Sequence, residues 1–413
     1  MTRPKHEWSN VFSATVLDAI SIGVGICLQI FLMRKLGVSQ YGMYAYGCAL
    51  GFFTAAIADF GSSYAGVRRT VALSNTPSLL RSLFFSVQWS KLLVAGIVIV
   101  AAFTFGALMP GRIPMLLPIL LGTLGTGLLP AWFVSGRTRV VQVARAWLMA
   151  RALCAASILL LVSQPEHAAL AAALTLSSPL LAALILHRDP EVRRLLSRPW
   201  LVPDVGEMSK ALRSGSAALP IAIFPSMASA ALQTFVLSVS SASVLGLFSA
   251  ADRVRAAIQG IYLALSSHAF PGSVGSLIEN AHGTRRSLTR VALLAILVPG
   301  LVAALMAVLA EPIVEVVMGD AYEGAVPVFQ VLALAFVPSA LALFIVTQVM
   351  IPLSMEWHCI LAASLGLLLQ CVLVAWFVPW QGAVGAALAF AAGEAFVMAT
   401  LIGMVRRRWR AIN

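Results

Sequence analysis

Near the middle of the stretch GLFSAADRVRAAIQGIYLALSSHAF, residues 246–270, an acid and two arginines interrupt an apolar run: Asp252, Arg253 and Arg255. On a helix, residues three, four and seven apart share a face. Ser249, Asp252, Arg255, Gln259, Tyr262 and Ser266 therefore form one polar stripe. Asp252 and Arg255 are spaced to pair with each other, while Arg253 is turned to another side. A guanidinium is always charged and offers a planar fork that fits a phosphate in two hydrogen bonds. The chemistry on offer is recognition of an anionic group, a diphosphate above all, or an internal ion pair that ties helices together.

Other charges stand in comparably apolar surroundings. Arg151 and Lys91 are further candidates for the same anion-binding field, although Lys91 is near enough to a run's end to snorkel. Asp18, in ATVLDAISIG, and Glu394, in AFAAGEAFVM, have no basic residue three or four positions away. A carboxylate placed so can take up and release a proton or bind a sodium ion; for Asp18 the competing expectation is a salt bridge to Arg151. Asp59 is expected to cap its helix or to pair with Arg68 or Arg69. Cations (Lys91, Arg151, Arg253, Arg255) and acids (Asp18, Asp59, Asp252, Glu394) balance within the apolar runs.

The elements that hold these groups are membrane spans. The chain of 413 residues is 60% hydrophobic and 11% charged, with mean hydropathy +0.93. Soluble domains carry about 25% charged residues. Runs of about 20 apolar residues are long enough to cross a bilayer. Twelve are expected, near residues 9–33, 39–66, 82–108, 113–135, 141–163, 168–187, 213–239, 242–271, 288–310, 324–350, 358–378 and 381–405. The fold class is thus all-α and polytopic. A charge at the bilayer centre costs at least about 2.5–3.5 kcal/mol, so each intramembrane charge needs a partner or a wet surface.

The formal charge of +12 does not point to nucleic acid, because the basic residues cluster in short stretches between spans. They fall on one side around residues 3–5, 68–81, 137–145, 188–213, 285–290 and 406–410; only Arg34, Lys35 and Arg112 fall on the other. This bias puts both termini in the cytoplasm. Trp132, Trp357 and Trp380 sit at span ends and read as interface anchors. Five scattered cysteines with no CxxC pair, and six histidines that do not cluster, call for no metal, disulfide or cofactor. The outer loops are short, which argues against an enzyme.

The stretch CLQIFLMRKLGVSQYGMYAYG (27–47) aligns without gaps on ALQTFVLSVSSASVLGLFSAA (231–251). Leu28 meets Leu232, Gln29 meets Gln233, Phe31 meets Phe235, Ser39 meets Ser243 and Gly42 meets Gly246. The match falls at the same place in each half, so the halves are parallel six-span repeats. The expected division is an N-terminal lobe over 1–200, a cytoplasmic linker near 188–212 and a C-terminal lobe over 213–413. Transporters built this way put their substrate between the lobes.

The segments LGVSQYGMYAYG, ADFGSSYAGVRRTVAL, LGLFSAADRVRAAIQGI and VMGDAYEGAVPVFQVLALAF resemble the bacterial polysaccharide flippases. These are the Wzx-type O-antigen and capsule repeat-unit translocases of the multidrug/oligosaccharidyl-lipid/polysaccharide exporter superfamily. The resemblance implies two six-helix lobes around a central cavity in the bacterial inner membrane. It implies a cargo of undecaprenyl-pyrophosphate-linked oligosaccharide, moved outward for O-antigen, capsule or exopolysaccharide synthesis alongside a polymerase and a chain-length regulator. In that setting Arg255, Arg151, Arg253 and Lys91, with Asp252 and Gln259, would meet the diphosphate. Asp18 or Glu394 would couple transport to protons or sodium, and the related exporters favour Asp18, in the first span. The competing reading is a cation-coupled multidrug or metabolite exporter.

Overall fold

The computed structural model describes residues 5–108, 115–197, 205–269, 284–351 and 355–412. They are helical throughout, joined by short turns, and contain no strand. Eight helices among them are long and apolar enough to cross a membrane, or nine if a pair bent by 74° (296–308 and 310–318) counts as one span. Two of the eight run over 60 and 53 residues, far beyond what one crossing needs. Each of those rods is broken at a glycine. Gly37 has φ 69° and Gly382 has φ 56°, left-handed backbone that a side chain disfavours. Each rod therefore supplies two spans. The helix Ala242–Ala269 matches the expected eighth span, but its three charges exclude it on composition. With these, every one of the twelve expected crossings has a helix. The protein is an all-α, multi-pass membrane protein.

The apolar surface faces outward, as a lipid-facing protein requires: Leu160 is 82% exposed and Trp380 86%. Trp357 is likewise exposed. Trp132 departs from that expectation. It is buried and stacked 6.0 Å from Phe84, because the helix Ala131–Gly136 folds it into an aromatic core with Phe133.

The chain divides into two compact units, residues 1–36 with 43–230, and residues 37–42 with 231–413. The division falls inside the seventh helix, Val205–Val239, and not in the 188–212 stretch. The early turns of that helix pack in the first unit, where Gly215 stands against the carbonyl of Phe60. The 188–212 stretch is itself partly helical. Asp189 caps the helix Pro190–Leu196 through the Glu191 amide at 3.0 Å, with proline at the first position. Residues 198–204 of it lie outside the described residues.

Candidate functional site

In the second unit the eighth, tenth, eleventh and twelfth spans converge on one buried polar cluster. The polar stripe of the eighth span behaves as its spacing implies. Arg255 donates from Nε to Asp252 Oδ1 at 2.8 Å, with Nη2 2.7 Å from the same oxygen as an ion pair, and from Nη1 to Gln259 Oε1. Its guanidinium lies 4.8 Å from the ring centre of Phe390 on the twelfth span, a cation–π contact. The Arg255 side chain is 7% exposed, whereas that of Asp252 is 31% exposed. Tyr262, further along the stripe, is buried with its hydroxyl unpartnered. Arg253 is half-buried and engaged elsewhere.

Glu394 joins the same cluster. Its Oε2 accepts a hydrogen bond from Ser339 of the tenth span at 2.8 Å, and buried Gln370 of the eleventh packs against the neighbouring Gly393. Arg255 and Asp252 are both close enough to act on it electrostatically. The helix-by-helix expectation was that Glu394 stands without a cation. The structure supplies one from another helix. The candidate anion-binding residue and a candidate coupling residue, far apart in the sequence, thus share one site. The cluster gathers two carboxylates about one guanidinium.

Ser339, Gln370 and Phe390 were not among the sequence candidates. Ser339 and Gln370 each left a trace, a lone polar residue in an apolar run, in VPSALAL and LLLQCVL.

The first unit distributes its charges differently. Lys91 does not snorkel: it is 2% exposed, its Nζ lies 3.3 Å from Asp59 Oδ1, and it donates to the Leu129 carbonyl at 3.0 Å. Asp59 also accepts from Ser62 Oγ at 2.9 Å and from the Ser63 amide at 3.2 Å, capping the helix Ser62–Ala72. The expected pairing of Asp59 with Arg68 or Arg69 is not made. Phe60 and Gly61 take positive φ, so the chain turns between the acid and the arginines. Arg69 instead binds Glu207 at 2.7 Å, and Arg68 is exposed.

Arg151, on the fifth span, donates from Nη1 to Ser21 of the first span at 2.9 Å and lies 5.6 Å from the Trp147 ring. Asp18 is exposed and acts on Arg151 only through space, so the expected salt bridge is absent. Lys91 and Arg151 belong to the first unit, Arg255 and Glu394 to the second. Among the described residues no group of three histidine, cysteine or acidic side chains is arranged to hold a metal.

The fold is that of known membrane transporters. The chain superposes on the lipid II flippase MurJ, in its inward closed conformation, with a TM-score of 0.75 at 12% identity, covering 95% of this chain and 87% of that one. An inward-facing multidrug resistance MATE family transporter of the MOP superfamily gives 0.69 at 14% identity, covering 96% and 98%. The Vibrio cholerae MATE transporter VcmN, in its bent form, gives 0.53 at 13% identity, covering 98% and 97%. No protein-family model matches the sequence, and no curated protein matches it. At such identities the likeness concerns the fold.

Proposed function

We propose that the chain is a flippase of undecaprenyl-pyrophosphate-linked oligosaccharide repeat units, acting in the bacterial inner membrane with both termini in the cytoplasm. It serves the assembly of O-antigen, capsule or exopolysaccharide, alongside a polymerase and a chain-length regulator, and is a transporter and not an enzyme. The observation that carries this reading is the buried Arg255, held by half-buried Asp252 and Gln259, in a fold shared with a lipid II flippase. A cation at that depth is costly unless it has work to do, and an arginine is suited to a diphosphate. Arg255 meets the diphosphate by exchanging Asp252 for it. Gln259 and Asp252 keep the guanidinium oriented between cargoes, and Arg151, Arg253 and Lys91 add to the positive field. Of the two coupling candidates, Glu394 is the better placed.

A second reading, a cation-coupled multidrug or metabolite exporter, draws on the same Glu394 site and on the MATE likeness. Removing the gene separates the two. Loss of surface polymer with lipid-linked repeats accumulating inside supports the flippase. Sensitivity to cationic toxins with unchanged polymer supports the exporter and rejects the flippase.

A further inference from the structure

At one end of the first unit the described acids are all consumed inside the protein. Asp59 holds Lys91, Asp189 holds Arg139 at 2.8 Å, Glu191 holds Arg137 at 3.2 Å, and Glu207 holds both Arg69 and Lys210. These pairs staple the ends of neighbouring spans together, and Arg137 also donates to the Ser74 carbonyl at 3.3 Å. No described acid remains for Arg68, Arg145, Arg188, Arg193, Arg194 and Arg213. All six are exposed, and their side chains make no ion pair or hydrogen bond among the described residues. In the helix Pro190–Leu196, Val192 is buried, Leu195 and Leu196 are half-buried, and Arg193 and Arg194 face outward.

The tendency of cations to collect on one side of a membrane requires only that they lie near span ends. It does not require every nearby acid to be turned inward. The result is a strip of like charges on a rigid frame, and such a strip repels itself unless counter-charge is supplied from outside. Each of these arginines sits in the end turns of a membrane span or within about two turns of one. A lipid headgroup therefore reaches them before a soluble polyanion does.

We propose that this end of the first unit is a docking surface for anionic phospholipid headgroups of the adjoining leaflet, with the helix Pro190–Leu196 at its centre. The surface is separate from the buried clusters described above and does not depend on which cargo the protein carries. Each arginine near an anionic membrane surface contributes about 1 kcal/mol, or roughly a fivefold preference, and the contribution falls within a Debye length.

The experiment uses the full-length chain in mixed micelles containing equal phosphatidylglycerol and phosphatidylcholine, with the retained lipids quantified by mass spectrometry. The native protein is expected to enrich phosphatidylglycerol, and high salt to abolish the enrichment. The triple variant R188Q/R193Q/R194Q is expected to lose at least fivefold of it while melting at an unchanged temperature in phosphatidylcholine alone. Inorganic phosphate at matched concentration is expected to leave the enrichment unchanged. Equal retention of the two lipids by the native protein, or undiminished enrichment in the triple variant, overturns the proposal. So does competition by free phosphate, which marks a soluble-anion site instead. Should the variant prove unstable, the salt titration of the native protein decides alone.

Discussion

Gly42 and Gly246 meet at a helix crossing in the second unit, each against the other's helix one turn earlier. A Cβ on Gly42 would run into the carbonyl of Ala242, and one on Gly246 into that of Val38. In the internal repeat Gly42 is the mate of Gly246, and Val38 of Ala242. The duplication is therefore visible as a contact symmetrical about itself. The small residues serve close backbone approach, which is how helices associate in lipid.

Gly42→Leu and Gly246→Leu are expected to lower the melting temperature of the purified protein by several degrees, since overpacking a tight contact costs about 1–3 kcal/mol. Gly23→Ala, where nothing lies within 4 Å, is the control and is expected to melt as the native protein does. Equal melting of all three variants would remove the crossing from the account.

Breaking the Lys91–Asp59 pair from one side leaves an uncompensated buried charge. Lys91→Met and Asp59→Asn are each expected to destabilise by about 3–5 kcal/mol, and the double variant by less than the sum, because both charges are then gone. Denaturation midpoints in detergent measure this. Strict additivity would mean that the two residues do not depend on each other.

At the edge of the first unit the Lys210 and Arg69 side chains donate to Glu207 and hold its carboxyl below the usual carboxylate range. A lowered folded-state value stabilises above the unfolded value, near 4.5, and that stability is lost as pH falls through the folded value. Glu207→Gln is thus expected to cost up to about 1 kcal/mol at neutral pH. The gap between variant and native melting temperatures is expected to close well below pH 4.5. A gap that persists in acid would assign the effect to packing instead.

Glu394 and Asp18 are expected to differ in gradient-driven transport. Glu394→Gln removes the charge but keeps the size and the hydrogen bond from Ser339, and is expected to abolish the response to an imposed proton or sodium gradient. Asp18→Asn, at an exposed position, is expected to retain it. Retained coupling in the Glu394 variant would exclude that site.

Much of the fold was legible because hydrophobicity alone defines membrane spans. The hidden break at Gly37 falls between expected spans (33 to 39), and the one at Gly382 falls just inside the start of the twelfth, 381–405. The Asp252–Arg255–Gln259 contacts were legible too, since three- and four-residue spacing on one helix is a local property. Partners on different helices were not. Lys91 meets Asp59, and Glu394 meets Ser339, through helix packing that no spacing rule encodes. Sequence proximity misassigned Asp59 to Arg68 or Arg69 because the turn at Phe60–Gly61 redirects the chain. Asp18 is exposed and unpaired with Arg151, because the spacing within one helix does not say which side chain of another it meets.

The central claim is movement of a lipid-linked oligosaccharide with Arg255 engaging its diphosphate. It is tested most directly in proteoliposomes holding a fluorescent polyprenyl-pyrophosphate oligosaccharide, with an impermeant quencher reporting the fraction exposed outside. The native protein is expected to expose label from the inner leaflet well above the rate of empty vesicles. Arg255→Ala is expected to abolish this at equal protein incorporation, and Arg255→Lys to restore part of it, since the fork is lost but the charge kept. Exposure no faster than in empty vesicles would contradict the flippase assignment, and full activity of the Arg255→Ala protein would contradict the role of Arg255.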